Sequence, residues 1–519
     1  MKIICNFCLP ALSALLLLSG CSSANPASVT DTAQSTSAYA DIDYDNLTGI
    51  NLSDDEILVN GNPISTDYQS DVYVANDIVF YLEGQDFTYG EGTEKDAHSQ
   101  ADADAHKVIH ITAPGTYTLS GSLSAGQIAI DLGEDAKDDP EAVVNLILNN
   151  ADITCSVAPA VIFYNVYECG DSDTENASKD VDTSKAGANV ILADSSTNHI
   201  RGSYVARIYK SYELNEDGTE VVDSEKLHKY DGAFYSKMSM NIYGEDEGSG
   251  TLNIEAENEG LDSELHLTIN GGNVNITSGN DGINTNEDEI SVTTINGGTL
   301  QILVTGETGE GDGIDSNGWL VINGGVLTSQ ACSTSGDAGI DSDMGIHING
   351  GTVLAGGNML DRISESTQTY AVFQFTQPQK GNNKYTLKNV ENTVVAEYTP
   401  ENDFSYLIIS SPQLAEGNYS LWMNDTQLSA TAGDMRGGMN SGSGGPKPEG
   451  MQMPLEGELP EVPEGAEKPE MPQGERPKLP EGGQMPQGEK PGGGSFMDFI
   501  DSASPDIEIK QGENYFLVM

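Results

Sequence analysis

The sequence predicts an all-β fold, a right-handed parallel β-helix (solenoid) ending in a small irregular β C-terminal cap. Three observations carry that prediction. The tetrapeptide Ile-Asn-Gly-Gly begins at Ile269, Ile295, Ile322 and Ile348, in steps of 26, 27 and 26 residues. A second motif, Gly-[Leu/Ile]-[Asp/Asn]-[Ser/Thr], travels with it at Gly260, Gly282, Gly313 and Gly339. Glycine is abundant, 58 of 519 residues, while aromatics make up only 7%, which suits a turn-rich chain. A fixed period in this range marks an architecture whose units bury their apolar faces only against one another.

One unit shows why each element is expected. Leu265, Leu267 and Ile269 alternate, so they face one side of a strand. Asn270-Gly271-Gly272 then turns, because Asn and Gly tolerate positive φ. Val274 and Ile276 alternate as the next strand, and Gly282-Ile283 supplies a third. Three short strands in so few residues make one rung, paired to the next at ~4.8 Å. Clear repeats span 231–361, with Asp231–Ser236 a degenerate early copy, and looser segments extend the same wall over 46–430. Asp171–Lys185 and Glu213–Lys226 read as loops thrown out of it. An irregular β-sandwich is the competing architecture.

The ends have a different character. Residues 1–20 read as a signal peptide whose apolar run, Leu9–Leu18, is too short to span a ~30 Å hydrocarbon core. Leu18-Ser19-Gly20-Cys21 resembles the lipobox of bacterial lipoproteins, in which Cys21 takes the lipid. Residues 21–45 then form a flexible tether. The expected location is the extracytoplasmic face of the cell membrane, held by the N-terminal lipid only. Residues 431–495 are rich in Pro, Gly and Glu, with eleven of the 21 prolines between Pro446 and Pro491, and read as a linker before a short tail at 496–519. Cys155, Cys169 and Cys332 remain in the body. Their odd number gives no disulfide framework, although a Cys155–Cys169 bridge stays open.

The charge bounds the partners. With 23 Lys+Arg against 81 Asp+Glu the net charge is 23 − 81 = −58, which disfavours nucleic acid and anionic headgroups and suits a divalent cation. Each repeat places acid at one corner: Glu259 and Asp262, Asp281 and Asn284, Asp312 and Asp315, Asp337 and Asp341. Stacked carboxylates ~4.8 Å apart repel by roughly 3–4 kcal/mol at an effective dielectric near 20. A column of them needs protons or a bridging cation, and calcium is the hard extracellular cation that takes oxygen ligands. The competing reading is turn chemistry alone, with Asp and Asn hydrogen-bonding the corners. Ala338, inserted between Asp337 and its Gly, makes the last rung the weakest candidate.

Gly115–Leu123, the run Val144-Asn145-Leu146-Ile147-Leu148-Asn149-Asn150-Ala151-Asp152-Ile153-Thr154, and the Asp-Gly-Ile-Asp-Ser and Ile-Asn-Gly-Gly rungs together resemble one family over roughly 105–420. It is that of bacterial surface carbohydrate-binding proteins of the clostridial type, calcium-binding β-helices shaped like pectate lyases. The resemblance implies binding of plant cell-wall polysaccharide, acidic pectin-like chains included, with calcium in the corners. Between Asp231 and Asp361 stand 21 acids and, among Lys and Arg, only Lys237, a poor supply of bases for lyase chemistry. The expectation is therefore a non-catalytic binder. A polysaccharide lyase or hydrolase, or an adhesin without glycan affinity, is the alternative. Trp319, just after a Gly turn, is the candidate exposed platform for sugar; His266 and His347 read as wall positions.

Overall fold

Apolar residues that alternate within short strands and recur once per repeat can all be buried only if equivalent strands lie side by side. The structure, a computed structural model, describes residues 44–170, 173–433 and 503–519, and does this with three ladders. The expected signal peptide, Cys21, nearly all of the tether and almost the whole Pro/Gly/Glu-rich tract lie outside the described residues.

In the first ladder Val144–Cys155, Ala188–Leu192, Met240–Gly244, Leu267–Ile269, Val292–Ile295, Trp319–Ile322 and Gly345–Ile348 pair in parallel. Leu146, Val190, Ile242, Ile269, Ile295, Ile322 and Ile348 form one in-register buried file. The second ladder runs from the far end of Val144–Cys155 through Thr197–Gly202, Thr251–Ala256, Asn273–Ser278, Thr299–Val304, Val326–Gln330 and Thr352–Gly357. The third contains Lys107–Ile111, Gly126–Asp131, Val161–Asn165, Gly232–Ser236, Glu259–Ser263, Ile283–Thr285 and Ile314–Ser316. Its buried file is Ile109, Ile128, Val161, Phe234, Leu261, Ile283 and Ile314. The chain is nearly all β; its one described α-helix, Gln100–Asp104, begins at a Ser99–Asp102 capping box. No helix among the described residues is long and apolar enough to cross a membrane.

The repeated words each have a physical task. In Ile-Asn-Gly-Gly the second glycine takes the positive φ, 83° at Gly272 and 76° at Gly351. The asparagines instead donate along the stack: Asn296 Nδ2 to Asn270 Oδ1 (2.9 Å), Asn323 to Asn296 (3.0 Å) and Asn349 to Asn323 (3.1 Å). In the second motif the glycine allows a close approach. A Cβ on Gly282 would lie 2.2 Å from Ile302 Cγ2 and 2.5 Å from the Gly313 carbonyl oxygen, and Gly260 meets Ile276 in the same way.

Parallel stacking ends at Thr352–Gly357, where Phe404–Ser410 pairs antiparallel. The resulting sheet is mixed. Tyr370–Gln379 joins it, and a five-stranded sheet containing Tyr385–Asn389, Val394–Tyr398 and Gly417–Met423 packs with it around a separate core that includes Phe373, Tyr385 and Phe404. The C-terminal segment belongs to this cap: Glu513–Val518 pairs in parallel with Tyr370–Gln379, and Ile507–Ile509 pairs with Gly417–Met423.

Two sequence readings are corrected. Glu213–Lys226 is mostly hairpin, with Tyr209–Leu214 antiparallel to Val221–Lys226, because Gly218 (φ 69°) closes a tight turn that its polar composition disguised. Cys155, Cys169 and Cys332 are all free thiols, so no Cys155–Cys169 bridge forms.

Candidate metal centre

The acids of the repeats fall into two files, set by the third ladder's register. Amide-to-carbonyl bonds of 3.0 Å from Gly260 to Asp281, Gly282 to Asp312 and Gly313 to Ala338 align Glu259, Asp281, Asp312 and Ala338. Three residues further along, Asp262, Asn284 and Asp315 are direct strand partners. Asp341 extends that file, its amide donating to the Ile314 carbonyl at 2.7 Å. The structure thus separates Asp337 from Asp341. Ala338 takes the place in the file, and Asp337 turns to accept from the Gly311 amide (2.7 Å) and the Ser335 hydroxyl.

Part of this column is turn chemistry. Asp281 Oδ1 accepts the Asp312 amide at 2.7 Å, and Asp312 Oδ1 accepts the Ala338 amide. Asn284 Nδ2 donates to Glu259 Oε1 at 3.1 Å, and Asn286 Nδ2 donates to Asp262 Oδ1. The other oxygen is a different matter for three of these residues. Glu259 Oε2, Asp262 Oδ2 and Asn284 Oδ1 are buried without a hydrogen-bond partner. A buried unsatisfied acceptor costs about 1–3 kcal/mol, and more when charged. Three on adjacent rungs leave places for a proton, a water or a cation.

At the other end Asp312, Asp315 and Asp341 each offer a carboxylate oxygen, all within 4.8 Å of one another. Calcium–oxygen bonds of about 2.3–2.6 Å place opposite ligands roughly 5 Å apart, so this spacing suits an oxygen cage. Asp262 is fully buried while Asp315 is partly exposed, so the column opens toward solvent at the Asp315 end.

Electrostatics agree with the geometry. Burial pushes the carboxyls of Glu259, Asp262, Asp281 and Asp312 well above the ordinary carboxylate range. Repulsion adds to it: Asp262 and Asp231 act on Glu259, Asp315 and Glu259 on Asp281, and Asp281 and Asp341 on Asp312. Charged forms in such a place need compensation. The donor set is oxygen throughout, the chemistry of a hard cation.

Folding also brings in residues that the local sequence pattern did not suggest. Arg207 donates to Asp231 Oδ2 at 2.9 Å, at the buried end of the column. Lys229 Nζ lies 3.7 Å from Glu287. Both flank the inserted hairpin 209–226, outside the repeats, so no spacing rule pointed to them. Lys237 stands 4.6 Å above the Tyr164 ring. The second insertion lies against the first ladder, where the Thr183 hydroxyl bonds Asn241 Oδ1 and Thr268 Oγ1. Trp319 is partly exposed beside that insertion, whereas His266 and His347 are buried.

Residues 105–372 match the family described as carbohydrate-binding domain-containing protein, half of the chain and all of its repeats. The chain belongs to this family. Among solved structures, the polysaccharide lyase-like protein from C. thermocellum, a gadolinium derivative, is similar at 18% identity and a TM-score of 0.33, over 59% of this chain and 88% of that one. A likeness of that size decides neither chemistry nor ligand. None of the curated proteins matches the chain.

Proposed function

We propose that this protein binds acidic, pectin-like polysaccharide through calcium held on the third ladder, without cleaving it. The observation that carries the reading is the alignment of two oxygen files with unpartnered buried atoms at one end and three converging carboxylates at the other. Glu259, Asp262 and Asn284 would hold an ion in a closed, structural position. Asp312, Asp315 and Asp341 would hold one at the open end. An ion there supplies positive charge that a uronate carboxylate can share, which reconciles an acidic ligand with a chain of net charge −58.

The chain's own residues support binding over cleavage. Arg207 is committed to Asp231, Lys229 faces Glu287 and Lys237 covers an aromatic ring, so each nearby base already has a structural partner. On this reading the stacked ladders form a right-handed parallel β-helix, the hand that crossovers between parallel strands almost always take. Lipidation at Cys21 would hold the domain on the extracytoplasmic face of a membrane.

Calorimetric titration of the soluble body with polygalacturonate, in calcium and then in chelator, tests this while absorbance follows unsaturated product. Calcium-dependent heat without product is expected. Product formation would establish a lyase instead, and silence in both would leave a surface protein without glycan affinity.

A further inference from the structure

A groove of about 680 Å³ lies on the first ladder's outer side and is lined by Trp319, His347, Arg362, Lys179 and Glu365 among others. Its size is within the ~300–1,000 Å³ usual for ligand sites. Trp319 pairs in register with Gly345, whose own side-chain position is bordered by Ser364 Oγ (3.1 Å from an ideal Cβ) and an Arg362 guanidinium nitrogen (3.6 Å). One wall is the insertion segment carrying Lys179 and Asp180, whose side chains pair at 2.8 Å. The other is the segment 362–365, which adds to the ladder through the Ile346 amide to the Arg362 carbonyl (3.0 Å) and the Ser364 amide to the Ile346 carbonyl (2.7 Å). Arg362 is steadied by donating to the Met344 carbonyl at 2.7 Å.

The charges decide what fits. Lys179 and Arg362 are balanced by Asp180, Glu365 and Glu513, and burial, then Lys179, lowers the His347 pKa. The groove therefore carries no net positive charge with which to draw a uronate. It offers an aromatic face bordered by donors and acceptors of both signs, the pattern that suits a ring with one apolar C–H face and a rim of hydroxyls. The second tryptophan, Trp422, is partly exposed as well, but one face of its ring already carries Lys388 Nζ at 4.5 Å.

We infer that Trp319 and its flanking charged side chains form a neutral-pyranose subsite that works without a metal ion. It rests on the carbohydrate-binding reading but not on calcium. The chain would then grip a mixed polysaccharide at two places, acidic units at the carboxylate files and neutral units at the indole.

The test uses the soluble body carrying Trp422→Phe, which leaves Trp319 as the reporter tryptophan, titrated in EDTA with xylohexaose, cellohexaose, mannohexaose and trigalacturonate. At least one neutral hexasaccharide is expected to change the emission, and trigalacturonate is not. Calorimetry on Trp319→Ala should show at least a tenfold loss of affinity for that neutral sugar, with calcium-dependent polygalacturonate binding unchanged. Lys179→Ala, on the insertion rather than in the ladder, should weaken the same sugar if Trp319→Ala fails to fold. No response to any neutral sugar, or undiminished affinity in the variants, overturns the inference. Neutral binding that persists where polygalacturonate never binds in calcium would refute the calcium reading and leave this one standing.

Discussion

Replacing Asp341 by Asn should reverse its effect on stability according to whether calcium is present. The Asp312, Asp315 and Asp341 oxygens lie within 4.8 Å of one another. At an effective dielectric near 20 each ionised pair then repels by about 3.5 kcal/mol or more. Without a cation that repulsion is relieved by protonation, toward which burial and the acidic neighbours already push the Asp312 carboxyl. The isosteric amide removes the Asp341 charge from that cluster, so the variant should exceed the parent in EDTA by an amount comparable to one such repulsion, about 3.5 kcal/mol. In saturating calcium it has lost an anionic ligand. A tenfold weaker dissociation constant costs about 1.4 kcal/mol of linked stability. Denaturant unfolding of both proteins in both buffers gives the four free energies. The expected order is variant above parent in EDTA and parent above variant in calcium. If the variant is equally destabilised in both, Asp341 is a turn residue and the cation argument fails.

The remaining predictions concern pH, register, packing and thiols. Glu259, Asp262, Asp281 and Asp312 have folded pKa values raised above their unfolded ones, so the folded state binds more protons; their contribution is fully present below the ordinary carboxylate range and is lost as pH rises through the raised values. Melting temperature in EDTA should therefore fall with rising pH by more than in calcium, and parallel profiles would count against a bound cation. Asn296→Ala removes two links of the asparagine stack and should cost about 1–2 kcal/mol in urea unfolding, at the lower end because the file is exposed. Gly282→Ala drives a Cβ against Ile302 and a backbone carbonyl and should cost about 3 kcal/mol or more, read as a lowered midpoint or a failure to fold. Unreduced, denatured body lacking residues 1–21 should titrate as three thiols, and a result of one would restore the bridge.

Much of the third ladder was legible because a repeat carries its own register. Once Ile269, Ile322 and Ile348 are equivalent, the residues seven before them, Asp262, Asp315 and Asp341, must stack, whereas Asn284 stands eleven before Ile295 and joins that file only through the strand pairing. Counting also puts Ala338, not Asp337, ten residues before Ile348, where Glu259 and Asp312 stand before Ile269 and Ile322. Arg207 and Thr183 lie in stretches with no period, so no pattern could say that one meets Asp231 and the other Asn241. The tail has the same character: Ile507–Ile509 and Glu513–Val518 find partners in the cap across a large sequence separation, and nothing local encodes that pairing.

By itself the sequence determined an all-β repeat, its acidic corners and its glycine turns, because period and residue type are local properties read along one dimension. Only the tertiary structure decided which oxygens are left without donors, which insertion covers which face and where an indole stays open. Burial and partnership are properties of neighbours in space, and in a stacked chain most neighbours come from another rung.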